Sequence, residues 1–256
     1  MITHPILKIK GLTKFFGGLK AVSELDIEIN KNDLFGLIGP NGAGKTTVFN
    51  LITGIYTPDA GDIMFKDKLI NGLKPYEIVD LGIARTFQNI RLFNNLTVID
   101  NVKIACHKEV KYGLFSAIIR DRKFREQESL IEDKAYEMLS IFNLETRAGE
   151  LARNLPYGEQ RKLEIVRALA TDPDLLLLDE PAAGMNPQET IKLMDLINFI
   201  HDRFNLTILL IEHQMKVVMS ICQRVCVMDF GEKIAEGPPK EIQNEPKVIE
   251  AYLGRE

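Results

Sequence analysis

The sequence predicts an α/β fold in which a mostly parallel sheet lies between helix layers and an all-helical segment is inserted. Three observations predict it. Strands that are apolar along their whole length recur with a helical stretch between them, a glycine-rich loop joins one such strand directly to a helix, and no convincing strand occurs from about residue 92 to 171. A strand apolar on both faces belongs inside a sheet covered twice, which is what helical crossovers impose on parallel strands.

The chain opens in β structure. Leu7 to Ile9 and Leu25-Asp26-Ile27-Glu28-Ile29 alternate apolar and polar residues, the mark of half-buried strands. Leu34-Phe35-Gly36-Leu37-Ile38 is apolar without alternation and ends in Gly39-Pro40-Asn41-Gly42-Ala43-Gly44, after which a helix runs from Lys45 to about Thr53. Ile63-Met64-Phe65 reads as a short strand and Pro75 to Leu81 as a short helix. Leu175 to Leu178 and Thr207 to Ile211 are two later apolar strands. Between them Asn186-Pro187 opens a helix, with proline at the first position, where its missing N–H costs nothing. Leu193, Leu196, Ile197, Ile200 and Phe204 give that helix a buried face. Within the insert, Thr97-Val98-Ile99-Asp100 matches a capping box before one helix. Ile131, Ala135, Met138 and Phe142 form the apolar stripe of a second, and a third runs from about Gly158 until Asp172-Pro173 stops it.

Composition narrows the classes. At 256 residues the chain is one large domain or a domain with a subdomain. A hydrophobic share of 45% with 27% charged residues excludes wholesale disorder. A net charge of −4 gives no polyanion-binding surface by default. The longest apolar run, Leu206 to Ile211, falls far short of the roughly 18 residues a spanning helix needs. Met1-Ile2-Thr3-His4-Pro5 does not resemble the start of a secretory signal. Cys106, Cys222 and Cys226 are odd in number, with no matching ligand pair for zinc, and read as buried reduced thiols of a cytoplasmic protein.

Gly39-Pro40-Asn41-Gly42-Ala43-Gly44-Lys45-Thr46 fits G-x-x-x-x-G-K-[ST] in the strand–loop–helix context that motif requires. Glycines let successive backbone N–H groups turn toward phosphate oxygens, and the helix N-terminus adds positive potential. Lys45 reaches the β and γ phosphates, the Thr46 hydroxyl joins the shell of Mg²⁺, and Thr47 completes the nucleotide-binding set. Asn30-Lys31-Asn32-Asp33 spells the guanine-reading N-K-x-D, but it precedes the phosphate loop and reads as a polar turn. Asp179, at a strand's carboxyl end, is placed to hold the metal's shell, and Glu180 to orient or deprotonate a water attacking the γ-phosphate. His213 follows a third strand tip at the same sheet edge, where a γ-phosphate partner belongs.

These pieces, in this order, resemble the ATP-binding cassette (ABC) ATPases over nearly the whole chain. The resemblance implies a RecA-like phosphate-loop NTPase core with a mostly parallel sheet, an antiparallel β subdomain and an inserted α-helical subdomain. Residues 1–91 and 172–256 would form the nucleotide-binding core and 92–171 the insert. It implies that Phe16 stacks on adenine, that Gln88 touches Mg²⁺ and links core to insert, and that residues 183–187 are a dimer-contact loop. His213 matches the family's switch histidine. Leu155-Pro156-Tyr157-Gly158-Glu159-Gln160 stands at the signature L-S-G-G-Q, which acts on the partner's ATP. Pro156 removes the usual serine's hydroxyl and N–H and suits a first-turn position; Tyr157 replaces a glycine and Glu159 a glutamine. Gly158 and the helix N-terminus behind it remain an anion-binding arrangement. Asn186 stands where aspartate is commoner.

Within the family the chain is most similar to the ATP-binding subunits of branched-chain amino acid importers. The likeness lies in residues 16–22 and 85–93, the tyrosine-containing signature and the end Val248 to Gly254. Lys111 to Arg125 looks like an extra loop of those subunits; its basic run from Arg120 to Arg125 is a solvated helix face or a contact for anionic headgroups or a partner. The resemblance implies an ATP hydrolase peripheral to the cytoplasmic face of the inner membrane. Its partners would be a second cassette, membrane-spanning permease subunits (with Leu92, Phe93 and Leu96 as apolar contacts for them or else as core of the insert) and, indirectly, a solute-binding protein, but no nucleic acid. A lipopolysaccharide-export ATPase, a cassette acting on ribosomes or nucleic acid, and a regulatory ATP-binding protein without turnover are the alternatives.

Overall fold

A computed structural model describes residues 5–107, 118–119 and 121–253. The chain forms two compact units, one from residues 1–88 and 174–256 and the other from 89–173.

The first unit holds two sheets. Strands β1 (Pro5–Phe16), β2 (Leu19–Asn30), β4 (Ala60–Phe65) and β5 (Lys68–Leu69) form an antiparallel sheet in the order β2-β1-β4-β5. The tight turn at Gly17 (φ 58°) reverses β1 into β2, a conformation that glycine adopts without strain. Alternation puts Leu7, Ile9, Leu25, Ile27 and Ile29 on the buried face.

The second sheet takes the order β10-β9-β3-β8-β7-β6. Its centre is β3 (Leu34–Ile38), β8 (Thr207–Ile211) and β7 (Leu175–Asp179), parallel and buried at every residue. Helix α1 (Lys45–Ile52) follows β3, and α6 (Pro187–Phe204) links β7 to β8. Asn186 caps α6 by accepting from the Gln188 and Glu189 N–H groups at 3.0 Å, and Glu189 answers at the Asn186 N–H. Leu193, Ile197 and Ile200 are its buried face; Leu196 is half-buried and Phe204 exposed, so the apolar stripe ends one turn earlier than the spacing suggests.

Strands β6 (Ile83–Arg85), β9 (Arg224–Asp229) and β10 (Glu232–Gly237) extend this sheet beyond the sequence expectation. β6 is too short for any period to register, and β10 is half-exposed along its length. Helices α2 (Pro75–Leu81), α7 (Met215–Ile221), α8 (Pro239–Ile242) and α9 (Pro246–Leu253) complete the unit. Cys222 caps the end of α7 and Cys226 lies in β9, both buried free thiols raised by desolvation. Residues 31–33 form a turn with Asn32 at φ 64°, held by the Thr207 hydroxyl.

The second unit is helical among its described residues: α3 (Val98–Cys106), α4 (Arg122–Ile141) and α5 (Tyr157–Leu169), with one isolated bridge between Thr97 and Leu151. Thr97 caps α3, and buried Asn101 bonds Phe93 and Thr97 to fix the loop before it. Ile131, Ala135, Met138, Leu139 and Phe142 are buried along one side of α4 and its end. Phe93 and Leu96 are exposed and Leu92 half-buried. Arg122, Lys123 and Arg125 are exposed in the first turn of α4; residues 108–117, Arg120 and Gly254 lie outside the described residues. No helix among the described residues is long and apolar enough to cross a membrane.

Candidate nucleotide site

The loop after β3 is shaped by backbone demands that only glycine meets. Gly39 takes φ 150°, and a Cβ there would lie 2.1 Å from the Met228 carbonyl of β9. Gly44 takes φ 100°, with a hypothetical Cβ 2.4 Å from the Ala21 carbonyl. Both are steric exclusions as well as dihedral ones, so the loop is clamped between β2 and β9. Lys45 opens α1, is buried, and donates to the Gly39 and Pro40 carbonyls at 2.8 and 2.9 Å. Burial pushes its ammonium pKa down, while the Glu180 and Asp179 carboxylates pull it back up, so all three charges share one neighbourhood. Asn41, Gly42 and Thr46 are exposed; Ala43 is buried and its carbonyl accepts from the Gly231 N–H.

Two adjacent parallel strands complete the site. β7 lies beside β8 with Asp179 opposite Ile211. Glu180 turns sharply away at φ 46°, a left-handed and strained conformation for a residue with a Cβ. Its N–H donates to the Ile211 carbonyl at 2.9 Å, which pins the turn to the neighbouring strand tip. Gln88, just past β6, donates to Glu180 Oε2 at 2.7 Å, and His213 Nδ1 stands 3.6 Å from the same oxygen. The strand order β3-β8-β7-β6 therefore brings Lys45, His213, Asp179, Glu180 and Gln88 to one edge.

Asp179 has a partner that the sequence reading gave no role. Arg85 pairs with its Oδ2 at 2.6 Å, both side chains almost fully buried, and also donates to Asn50 Oδ1 and Thr53 Oγ1 at the end of α1. Its guanidinium lies over the rings of Phe49 and Phe87. The sequence shows only a cation next to Thr86-Phe87-Gln88 here. Phe16 stands at the end of β1, half-exposed, with its ring 5.2 Å from Tyr56 and nearly perpendicular to it. It lines a cleft of about 400 Å³ together with Leu19, Ala21, residues 42–47 and Phe230. Phe230, at φ 47° on the β9–β10 turn and strongly exposed, is a second aromatic at this cleft.

The donor set suits a hydrated Mg²⁺ on a nucleotide. Thr46 would offer a hydroxyl, Asp179 a carboxylate and Gln88 an amide oxygen, the hard oxygen donors that Mg²⁺ takes. No cluster of three or more acidic, histidine or cysteine side chains that could cage a metal by itself occurs among the described residues.

The signature segment lies in the second unit. Pro156 is the N-cap of α5, one position before the first turn, and Tyr157 is the first helical residue. Leu155 is buried, and its carbonyl accepts from Gln160 Nε2 at 2.8 Å. Tyr157 places its ring 5.9 Å from the Arg161 guanidinium and its hydroxyl 3.2 Å from Arg161 Nη2, while Arg161 pairs with Glu164, both fully buried. Glu159 pairs with Arg147 at 2.9 Å. Gly158 has open space around it. The tyrosine in place of a glycine thus braces a buried arginine of its own helix.

A family model described as "ABC transporter" matches residues 22–183, and one described as "Branched-chain amino acid ATP-binding cassette transporter" matches residues 232–256. The chain is 47% identical, over 99% of both chains, to the high-affinity branched-chain amino acid transport ATP-binding protein LivG of Escherichia coli (strain K12). It is 34% identical, over 98% of both chains, to the lipopolysaccharide export system ATP-binding protein LptB of the same organism. Among solved structures, the ADP conformation of MJ1267, an ATP-binding cassette of an ABC transporter, superposes with a TM-score of 0.85 at 32% identity, covering 99% of this chain and 100% of that one. The chain belongs to the ABC transporter family of ATP-binding cassettes.

Proposed function

We propose that this protein is the ATP-hydrolysing subunit of an importer for branched-chain or related amino acids, working as one of two cassettes beneath membrane-spanning permease subunits. Full-length similarity to a protein named for branched-chain amino acid transport, higher than that to the lipopolysaccharide-export relative, supports the choice of solute. The catalytic part is carried by one observation: Glu180 Oε2 is held by Gln88 and faces His213 beside the ammonium-bearing loop.

In the reaction, Lys45 and the backbone N–H groups of residues 39–46 hold the β and γ phosphates, and Phe16 stacks on adenine. A water attacks the γ-phosphorus while Glu180 orients it and takes its proton; the bond to the β–γ bridging oxygen breaks, and ADP and inorganic phosphate leave. His213 contacts the γ-phosphate oxygens. Thr46, Gln88 and Asp179 would hold Mg²⁺, which when bound neutralises charge on the phosphate oxygens. The signature loop of a second cassette, residues 155–160, closes over the exposed γ-phosphate, so ATP joins the dimer and hydrolysis releases it. The subunit sits at the cytoplasmic face of the inner membrane, held there by the permease, and a solute-binding protein delivers the cargo.

Reconstitution with the cognate permease in membranes tests this reading. ATP turnover should rise several-fold when the solute-binding protein and leucine, isoleucine or valine are present. Stimulation by a lipopolysaccharide instead, or by none of these, would overturn the proposed cargo.

A further inference from the structure

Glu212 is a buried acid for which the proposed reaction has no use. It follows β8 immediately, precedes His213, and is completely buried. Its Oε1 accepts from the Ala182 N–H at 2.9 Å, thirty residues away in sequence. Ala182 is also fully buried and lies in the loop that begins at Glu180 and ends at the Asn186 cap of α6. That loop is stitched internally: the Ala183 N–H bonds the Glu180 carbonyl and the Met185 N–H bonds the Ala182 carbonyl. A backbone tie from its start to β8 is the Glu180 N–H to Ile211 bond.

We infer that Glu212 is a positioning residue, a buried latch that ties the loop after β7 to the loop after β8 so that Glu180 and His213 face the same point. One side chain fixes both partners. A displacement of the His213 loop must drag Ala182, and with it Glu180 on one side and the residues leading to α6 on the other. Burial pushes the Glu212 carboxyl pKa up and the nearby Glu180 carboxylate adds to the rise, opposed by the Ala182 N–H, the His213 ring and the Gln214 N–H, which ties the same carboxyl to its own loop. A protonated carboxyl still accepts through its carbonyl oxygen, so the Ala182 N–H keeps its acceptor in either charge state, and an amide oxygen can replace it. The inference rests on the roles proposed for Glu180 and His213.

Two variants and one measurement on the unmodified protein test it. Glu212→Leu keeps an apolar-compatible volume but offers no acceptor; Glu212→Gln keeps the acceptor oxygen. The leucine variant should lose about tenfold or more in kcat while KM and the affinity for a fluorescent ATP analogue stay within about twofold, and the glutamine variant should keep kcat within about threefold of the unmodified protein. In the unmodified protein, the Ala182 amide should exchange hydrogen about a hundredfold more slowly than an open loop amide, whatever the variants do. An unchanged kcat in the leucine variant, a glutamine variant as slow as the leucine one, or a rapidly exchanging Ala182 amide would overturn the latch. Glu180→Gln is assayed alongside. If it hydrolyses ATP at the full rate, the reading of the site fails; if it is inactive while Glu212→Leu is not impaired, only the latch fails.

Discussion

Lys45 donates to two carbonyls of its own loop, at 2.8 and 2.9 Å, and in the proposed reaction the phosphates would have to offer it better acceptors. Charged phosphate oxygens do so, because a charge-assisted hydrogen bond is about twice as strong as one to a neutral carbonyl. Lys45→Ala should therefore weaken ATP binding by about tenfold or more, read by titration with a fluorescent ATP analogue; unchanged affinity would contradict the phosphate-loop reading. Arg85 makes a different point. Its ion pair with Asp179 is nearly free of solvent, so removing one partner strands the other charge. Arg85→Met should cost about 3–5 kcal/mol of stability in a denaturant titration, far beyond the roughly 1 kcal/mol of an exposed pair. The Arg85–Asp179 pair was not legible in the chain. Spacing identifies Asp179 as a strand-tip acid, but nothing local says that an arginine ninety-four residues earlier lies against it.

At the scale of elements, strands that are apolar throughout declared themselves: β3, β7 and β8 are buried at every position. The glycine loop and the α6 cap were equally legible, because a cap needs only local chemistry. Asn186→Ala should cost about 1 kcal/mol and Asn186→Asp almost nothing, measured as denaturation midpoints. β6 and β10 escaped for physical reasons, one being three residues long and the other lacking a buried face. Pro156 lies one position before the first turn that its sequence context suggests: it precedes the α5 helix, where its fixed φ of −54° costs nothing and no intrahelical N–H is missed. Glu212, joining the ends of β7 and β8, also gives stability a pH dependence. Its folded-state pKa is raised above the ordinary 4.5, so the stability it contributes is full below that value and is lost as pH rises through the raised one. Glu212→Gln should flatten that fall, seen as a smaller drop in denaturation midpoint from acid toward neutral pH; an unaltered slope would show that the carboxyl ionises freely.

For the molecule as a whole, the pattern of legibility follows chain distance. The phosphate loop, the acid pair and the histidine each sit in short local signatures, and the strand order β3-β8-β7 then makes them neighbours without further specification. What sequence could not supply is the bracing: Arg85 on Asp179, Gln88 and His213 on Glu180, and Glu212 on Ala182 are all contacts between distant segments. Tyr157 is braced locally instead, by Arg161 one turn along its own helix. The most direct test of the central claim, that Glu180 at this edge drives ATP cleavage, is a comparison of nucleotide affinity and single-turnover hydrolysis in Glu180→Gln. Affinity should be preserved within about twofold, turnover should fall by about a hundredfold or more, and an ATP-bound dimer should accumulate. Hydrolysis at the unmodified rate would contradict it.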